Sequence, residues 1–153
     1  MVAQIRPIER RVKGVQAWLA LWRAARAVED HARRSVEDDG LCLSDFAVLE
    51  ALLHKGPLPV GELGRRVLLT SGSITASVDR LERDGLVQRA TTPTDRRTRI
   101  VHLTEAGTAL IGSKYASHER DMETAFAGLS TTELRSLVRI LSKLRPNVDD
   151  AQA

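Results

Sequence analysis

Aromatic side chains are scarce in this sequence: of 153 residues, only Trp18, Trp22, Phe46, Tyr115 and Phe126 are Trp, Phe or Tyr. A core must therefore be filled by Leu, Val, Ile and Ala, which suits helices packed on helices. Cysteine is scarcer still. Cys42 stands alone, which excludes an internal disulfide and fits a reducing compartment. No apolar run approaches the roughly 18 uninterrupted residues of a membrane span. Met1–Pro7 leads into charges and not into an apolar stretch, so neither a signal peptide nor a membrane partner is expected, and the expected location is cytoplasmic. His31, His54, His102 and His118 form no close-spaced ligand set, so no metal and no cofactor is expected. Gly-x-Ser-x-Gly, the phosphate-binding P-loop and His-Glu-x-x-His are all missing, which leaves an enzymatic role without catalytic residues.

What is present is charge, unevenly spread. The formal net charge of +3 is by itself weak evidence for an anionic partner. Residues 89–99, however, hold Arg89, Arg96, Arg97 and Arg99 against Asp95 alone. The length fits one domain, or two lobes sharing a core.

Apolar spacing organises the chain. Ile8, Val12, Val15, Leu19 and Trp22 recur at alternating spacings of four and three, with Trp18 beside them, predicting one helix from about Ile8 to Val36. So narrow a stripe on so long a helix cannot be covered within one subunit, and pairing with a second chain is the economical expectation. Ser44 is the expected N-cap of a second helix, with Phe46, Leu49, Leu52 and Leu53 inward, broken at Lys55-Gly56-Pro57. A short third helix spans about Val60 to Val67. Ser71 is expected to cap a fourth, running to Asp84 with Gly85 as its stop. Two strands, about Leu86–Ala90 and Thr98–Leu103, flank a turn. Thr104 caps a fifth helix that ends near Gly128, with Leu110, Ile111, Tyr115, Met122 and Phe126 on its apolar side. Ser130-Thr131-Thr132-Glu133 is a capping box opening a sixth helix. That helix carries Leu134, Leu137, Val138, Leu141 and Leu144 in register and is closed by Pro146.

On a helical wheel, Ile74, Val78 and Leu81 share the buried stripe of the fourth helix. Gly72, Ala76, Asp79 and Arg83 fall opposite, with Thr75 and Arg80 on the shoulders and Ser71 and Ser73 at the N-terminal end. Small side chains there let a backbone approach the floor of a major groove, where hydroxyls meet base edges and methyls meet thymine. The amides at the Ser71 end also suit a phosphate. Alone, the same pattern describes an ordinary capped surface helix. The ribbon behind it favours DNA. Arg96 and Arg97 stand at its tip, where an arginine can enter a narrow, electronegative minor groove. Asp95 beside them can hold one guanidinium at a fixed angle, while Arg80, Arg83 and Arg99 suit phosphates.

Asp95-Arg96-Arg97, followed by Leu103-Thr104-Glu105-Ala106-Gly107 and preceded by Leu81-Glu82-Arg83-Asp84-Gly85-Leu86-Val87, resembles the MarR family of winged-helix transcription factors. The resemblance covers nearly the whole chain. It implies a mainly α fold with a small two- to three-stranded β-wing, forming an obligate homodimer. Residues 1–38 would be a dimerisation helix, 41–103 a winged helix-turn-helix lobe, 104–146 the C-terminal dimerisation helices and 147–153 a disordered tail. It implies a recognition helix at Ser71–Asp84, with Gly72, Ser73, Thr75 and Ala76 at base-facing positions. It further implies a wing at about Thr91–Thr98, with Arg97 in the minor groove and Asp95 orienting it. Some relatives carry a long basic residue where this chain has Ala76, so the operator does not carry over. Phe46–Leu52 and Leu69–Thr75 look most like the MhqR-type branch, which answers to quinone-like or phenolic compounds.

Members of the family commonly bind small aromatic acids between the dimer helices and the DNA-binding lobe. Trp18, Trp22, Phe46 and Tyr115 are the aromatic candidates for such an effector site, with Arg26 or His31 as polar anchors. The same aromatics serve equally well as core and dimer-seam residues. Cys42 is a candidate redox sensor, against a plain buried role between Leu41 and Leu43. The expected function is a repressor that binds a pseudo-palindromic site on double-stranded DNA and is released by a small phenolic or quinone-like effector. The alternatives are a thiol-based redox repressor and an architectural DNA-binding protein of low specificity.

Overall fold

The apolar spacings become helices that close on one core. The computed structural model describes residues 13–37, 40–91 and 99–149. In chain order they form α1 (Gly14–Glu37), α2 (Leu43–Lys55), β1 (Leu58–Pro59), α3 (Val60–Arg66), α4 (Ser71–Arg83), β2 (Val87–Thr91), β3 (Arg99–Leu103), α5 (Glu105–Ala125) and α6 (Thr131–Asp149). Phe46, Leu49, Leu63, Val78, Leu81 and Val101 are buried together, joined by Val36 from α1 and Ile111 from α5. Helices α2 to α4 with the sheet make the expected winged helix-turn-helix lobe.

The sheet is antiparallel with strand order β1-β3-β2. Leu58 pairs with Val101 and Val87 with Leu103, so the ribbon gains a third strand that its two residues did not announce. Pro59 lies on that outer strand, where a missing N–H breaks no ladder.

Several boundaries differ from expectation. Cys42, not Ser44, occupies the N-cap of α2 and makes no side-chain cap bond. Thr70, not Ser71, caps α4: its backbone is extended and its Oγ1 accepts from the Ser73 amide at 3.2 Å. Helix α5 stops at Ala125, short of Gly128. Pro146 does not close α6, which continues to Asp149, so part of the expected disordered tail is helical. A proline forfeits the bond of its own missing N–H, and that loss near the end of a helix leaves the following residues free to continue. Ile8, Val12 and residues 150–153 lie outside the described residues. The capping box stands, with Ser130 N–H donating to Glu133 Oε2 at 2.8 Å and Glu133 N–H to Ser130 Oγ at 3.3 Å.

The Leu103–Gly107 segment acquires a physical reason. Thr104 caps α5 through the Gly107 amide (3.0 Å), and its own hydroxyl donates to the Gly85 carbonyl (2.7 Å). Its amide donates to the Leu86 carbonyl (3.1 Å). A Cβ at Gly107 would overlap that Leu86 carbonyl oxygen, whereas Gly112 on the same helix has open space around it. Only glycine lets α5 start against the point where α4 hands over to β2. Gly107→Ala is therefore expected to destabilise the protein by about 3 kcal/mol. Gly112→Ala should be neutral or stabilise by up to about 1 kcal/mol. Urea unfolding of the two variants checks this, and equal midpoints would refute the close approach.

Candidate nucleic-acid interface

Helix α4 buries Ile74, Ser77, Val78 and Leu81 and exposes Ser71, Gly72, Ser73, Thr75 and Ala76. The wheel's partition holds, with Ser77 added to the buried side. Gly64 of α3 permits the close seating of α4, since a Cβ there would stand 3.1 Å from Ile74 Cγ2. Thr75 donates to the Ser71 carbonyl at 2.9 Å, which keeps its side chain local to the exposed turn.

The polar contacts of α4 are less expected. Asp45 of α2 is 7% exposed, and a carboxylate that deep needs donors. It finds them on α4: the Ser77 hydroxyl donates to Oδ1, and Arg80 donates from Nε (3.0 Å) and Nη2 (2.7 Å). Burial pushes the Asp45 carboxyl up, but the Arg80, Ser77 and Cys42 contacts outweigh it and leave the group below its ordinary value of 3.8. Arg80 is raised, chiefly by its hydrogen bond to Asp45. Arg80, expected at a phosphate, is thus engaged first in holding α4 on α2, although its side chain stays 40% exposed. No spacing singled out Asp45; its place in the first turn of α2, three residues after Cys42, was the only hint.

Arg89 is also withdrawn from the basic cluster. Its guanidinium donates to Glu82 Oε2 and to Asp79 Oδ1, both at 2.5 Å, and its amide donates to Glu82 Oε1 at 3.0 Å. Arg99, exposed on β3, faces a groove of about 820 Å³ shared with Thr75, Asp79, Glu82, Arg89 and residues 59–61. The structure thus brings Thr75 of the small-residue face and Arg99 at the root of the wing onto one groove. Asp95, Arg96 and Arg97 lie outside the described residues.

The effector candidates separate. Trp18 and Trp22 stack on each other with ring centres 6.4 Å apart, both more than half exposed, with exposed Arg26 one turn beyond Trp22 on α1. Phe46 is buried against the His118 ring at 4.6 Å, and Tyr115 meets His54 edge-on at 4.7 Å. His31 Nε2 donates to the Asp121 carbonyl at 3.0 Å. So His31, Phe46 and Tyr115 pack around α5, away from the indole pair. Cys42 is exposed, contrary to the buried role considered for it, with Sγ 3.1 Å from Ser44 Oγ and 3.6 Å from Arg80 Nη2. Among the described residues no group of three His, Cys, Asp or Glu could hold a metal, and no helix is long and apolar enough to cross a membrane.

Comparison with known proteins gives this geometry its relatives. A sequence model of the MarR family matches residues 39–98. The chain is 36% identical over 135 residues to the HTH-type transcriptional regulator MhqR of Bacillus subtilis (strain 168), covering 88% of this chain and 93% of that protein. Its fold is similar to Sco3205, a MarR family transcriptional regulator from Streptomyces coelicolor solved in complex with DNA. That match has a TM-score of 0.81 at 24% identity, covering 90% of this chain and 94% of the other. It is also similar to BpsR of Bordetella bronchiseptica, whose DNA binding is regulated by 6-hydroxynicotinic acid. Here the TM-score is 0.78 at 25% identity, over 85% and 98% of the two chains.

Because Asp45 is held below its ordinary value, its contribution to stability is full above about pH 4 and is lost as the pH falls through the depressed folded value. Asp45→Asn is expected to cost about 1–3 kcal/mol at pH 7. The gap between wild type and variant should begin to narrow as the pH falls below 3.8 and should close below the depressed folded value. Urea unfolding followed from neutral pH downwards measures both, and a gap that does not narrow at all in acid would contradict the assignment.

Proposed function

The chain belongs to the MarR family of transcriptional regulators, and on that premise we propose that it is a homodimeric repressor of a pseudo-palindromic operator. The observation that carries this is the exposed small-residue face of α4, whose Thr75 shares one groove with Arg99 at the root of the wing. Ser71, Gly72, Ser73, Thr75 and Ala76 would read the major groove, with Arg97 in the adjacent minor groove, steadied by Asp95, and Arg96 and Arg99 on phosphates. Dimerisation is supported by apolar side chains left uncovered in one subunit. They are Val15, Trp18, Leu21 and Trp22 on α1, and Val138, Ile140 and Leu144 on α6, which scarcely touches the rest of its own chain. A two-fold dimer sets two recognition helices in successive major grooves about one turn apart.

Release by a small phenolic or quinone-like compound is supported by the likeness to MhqR and by the ligand-regulated relative BpsR. Exposed Trp18, Trp22 and Arg26 on α1 would meet such a compound together, whereas Phe46, buried against His118, packs with His31 and Tyr115 around α5 and would not share that site. The compound acts only by binding one dimer geometry more tightly than the other. A second reading, a thiol switch in the cytoplasm, is favoured by the exposure of Cys42 beside Arg80. Cys42→Ser that stays as oxidant-releasable as wild type ends it.

Gel mobility shifts on the DNA upstream of the chain's own gene, against scrambled competitor, test the main reading. Arg97→Ala should weaken binding at least about tenfold, equivalent to about 1.4 kcal/mol, and leave the dimer intact by light scattering. Unchanged affinity would show that the wing does not contact DNA.

A further inference from the structure

Asp79 and Glu82 are two acidic side chains on a helix that faces a polyanion, and one arginine from the wing takes up both. They lie one turn apart on α4, so a single planar guanidinium spans them. Arg89 supplies it from β2, with its side chain 19% exposed against 60% for Asp79 and 39% for Glu82. The bond from its amide to Glu82 ties the strand backbone, and not only the side chain, to α4. Two residues further along β2, Thr91 pairs with Arg99. The fork therefore sits between the recognition helix and the arginine at the wing root. Pairs this exposed contribute little to stability. Burial of Leu81, Val87 and Val101 already holds α4 on the sheet.

We infer that Arg89 is a positioning residue: its fork onto Asp79 and Glu82 fixes the angle between the recognition helix and the wing, so that α4 and Arg99 engage one duplex together. The inference deepens the proposed DNA-binding function and rests on it. A lysine keeps the charge but is a point donor that cannot hold two carboxylates in one plane. Charge alone predicts the opposite effect of removing the acids, since a DNA-facing helix that loses two negative charges should bind DNA more tightly.

The test uses the full-length protein and a duplex that the wild type selects from a random library, with the active fraction set by stoichiometric titration. Arg89→Lys is expected to weaken binding about tenfold at unchanged thermal midpoint. The double variant Asp79→Ala/Glu82→Ala should weaken it by a similar factor in spite of its added positive charge. Arg99→Ala should cost about threefold to tenfold in the wild type and less than about twofold in the Arg89→Lys background, a non-additivity that a merely structural role would not produce. Tighter binding by the Asp79/Glu82 variant, or an equal cost of Arg99→Ala in both backgrounds, overturns the inference. A wild type that selects no duplex overturns the DNA-binding reading itself, whereas wild-type selection with unaffected variants overturns this inference alone.

Discussion

A buried carboxylate sets the rotation of the recognition helix. Asp45 cannot remain at 7% exposure without donors, and two of them, Ser77 and Arg80, belong to α4. Successive helical residues are about 100° apart, so a slip of one residue would carry both donors away from Asp45. A slip in one direction would turn Ile74, Val78 and Leu81 out of the core and bring Thr75, Asp79 and Glu82 into it. Gly64 supplies the remaining condition by letting α3 approach Ile74 closely. The chemistry of the exposed face therefore follows from a bond made on the opposite flank of the helix.

Charge is used more sparingly than the composition suggests. Arg80 and Arg89 lie close to the interface, yet each is committed to carboxylates of its own chain. Both pairings join α4 to a neighbour, α2 on one flank and β2 on the other. On the proposed function, affinity for DNA would fall to fewer cations and to the backbone amides of the α4 N-terminus, while the paired arginines join α4 to its neighbours. Such a division suits a protein that distinguishes sequences, because contacts shared by every duplex raise affinity without specificity.

Much of this was legible from the chain alone. Helix order, the partition of α4, the Thr104 cap and the Ser130–Glu133 box follow from local rules of spacing and capping. The misplaced caps at Ser44 and Ser71 had several hydroxyls or polar residues within two positions, and only backbone conformation chose among them. The pairings of Asp45 and Arg89 were not legible, because each joins residues that are distant in sequence or on different elements. Sequence proximity groups Arg89 with the wing's arginines because it carries no information about partners. Whether the wing has two strands or three, which the resemblance leaves open, turns on β1, whose two residues ending in proline carry no alternation. The separation of the indole pair on α1 from Phe46 on α2 and Tyr115 on α5 depended on how α2 and α5 pack against α1, which spacing along the chain does not give.

The central claim is that α4 and the wing grip one duplex in two grooves, twice, about a dyad. Hydroxyl-radical and methylation footprinting of the selected operator tests it most directly. The account predicts two protected major-groove segments centred about one helical turn apart, each flanked outward by minor-groove protection that disappears with Arg97→Ala. A single protected segment, or uniform protection without a dyad, would contradict it.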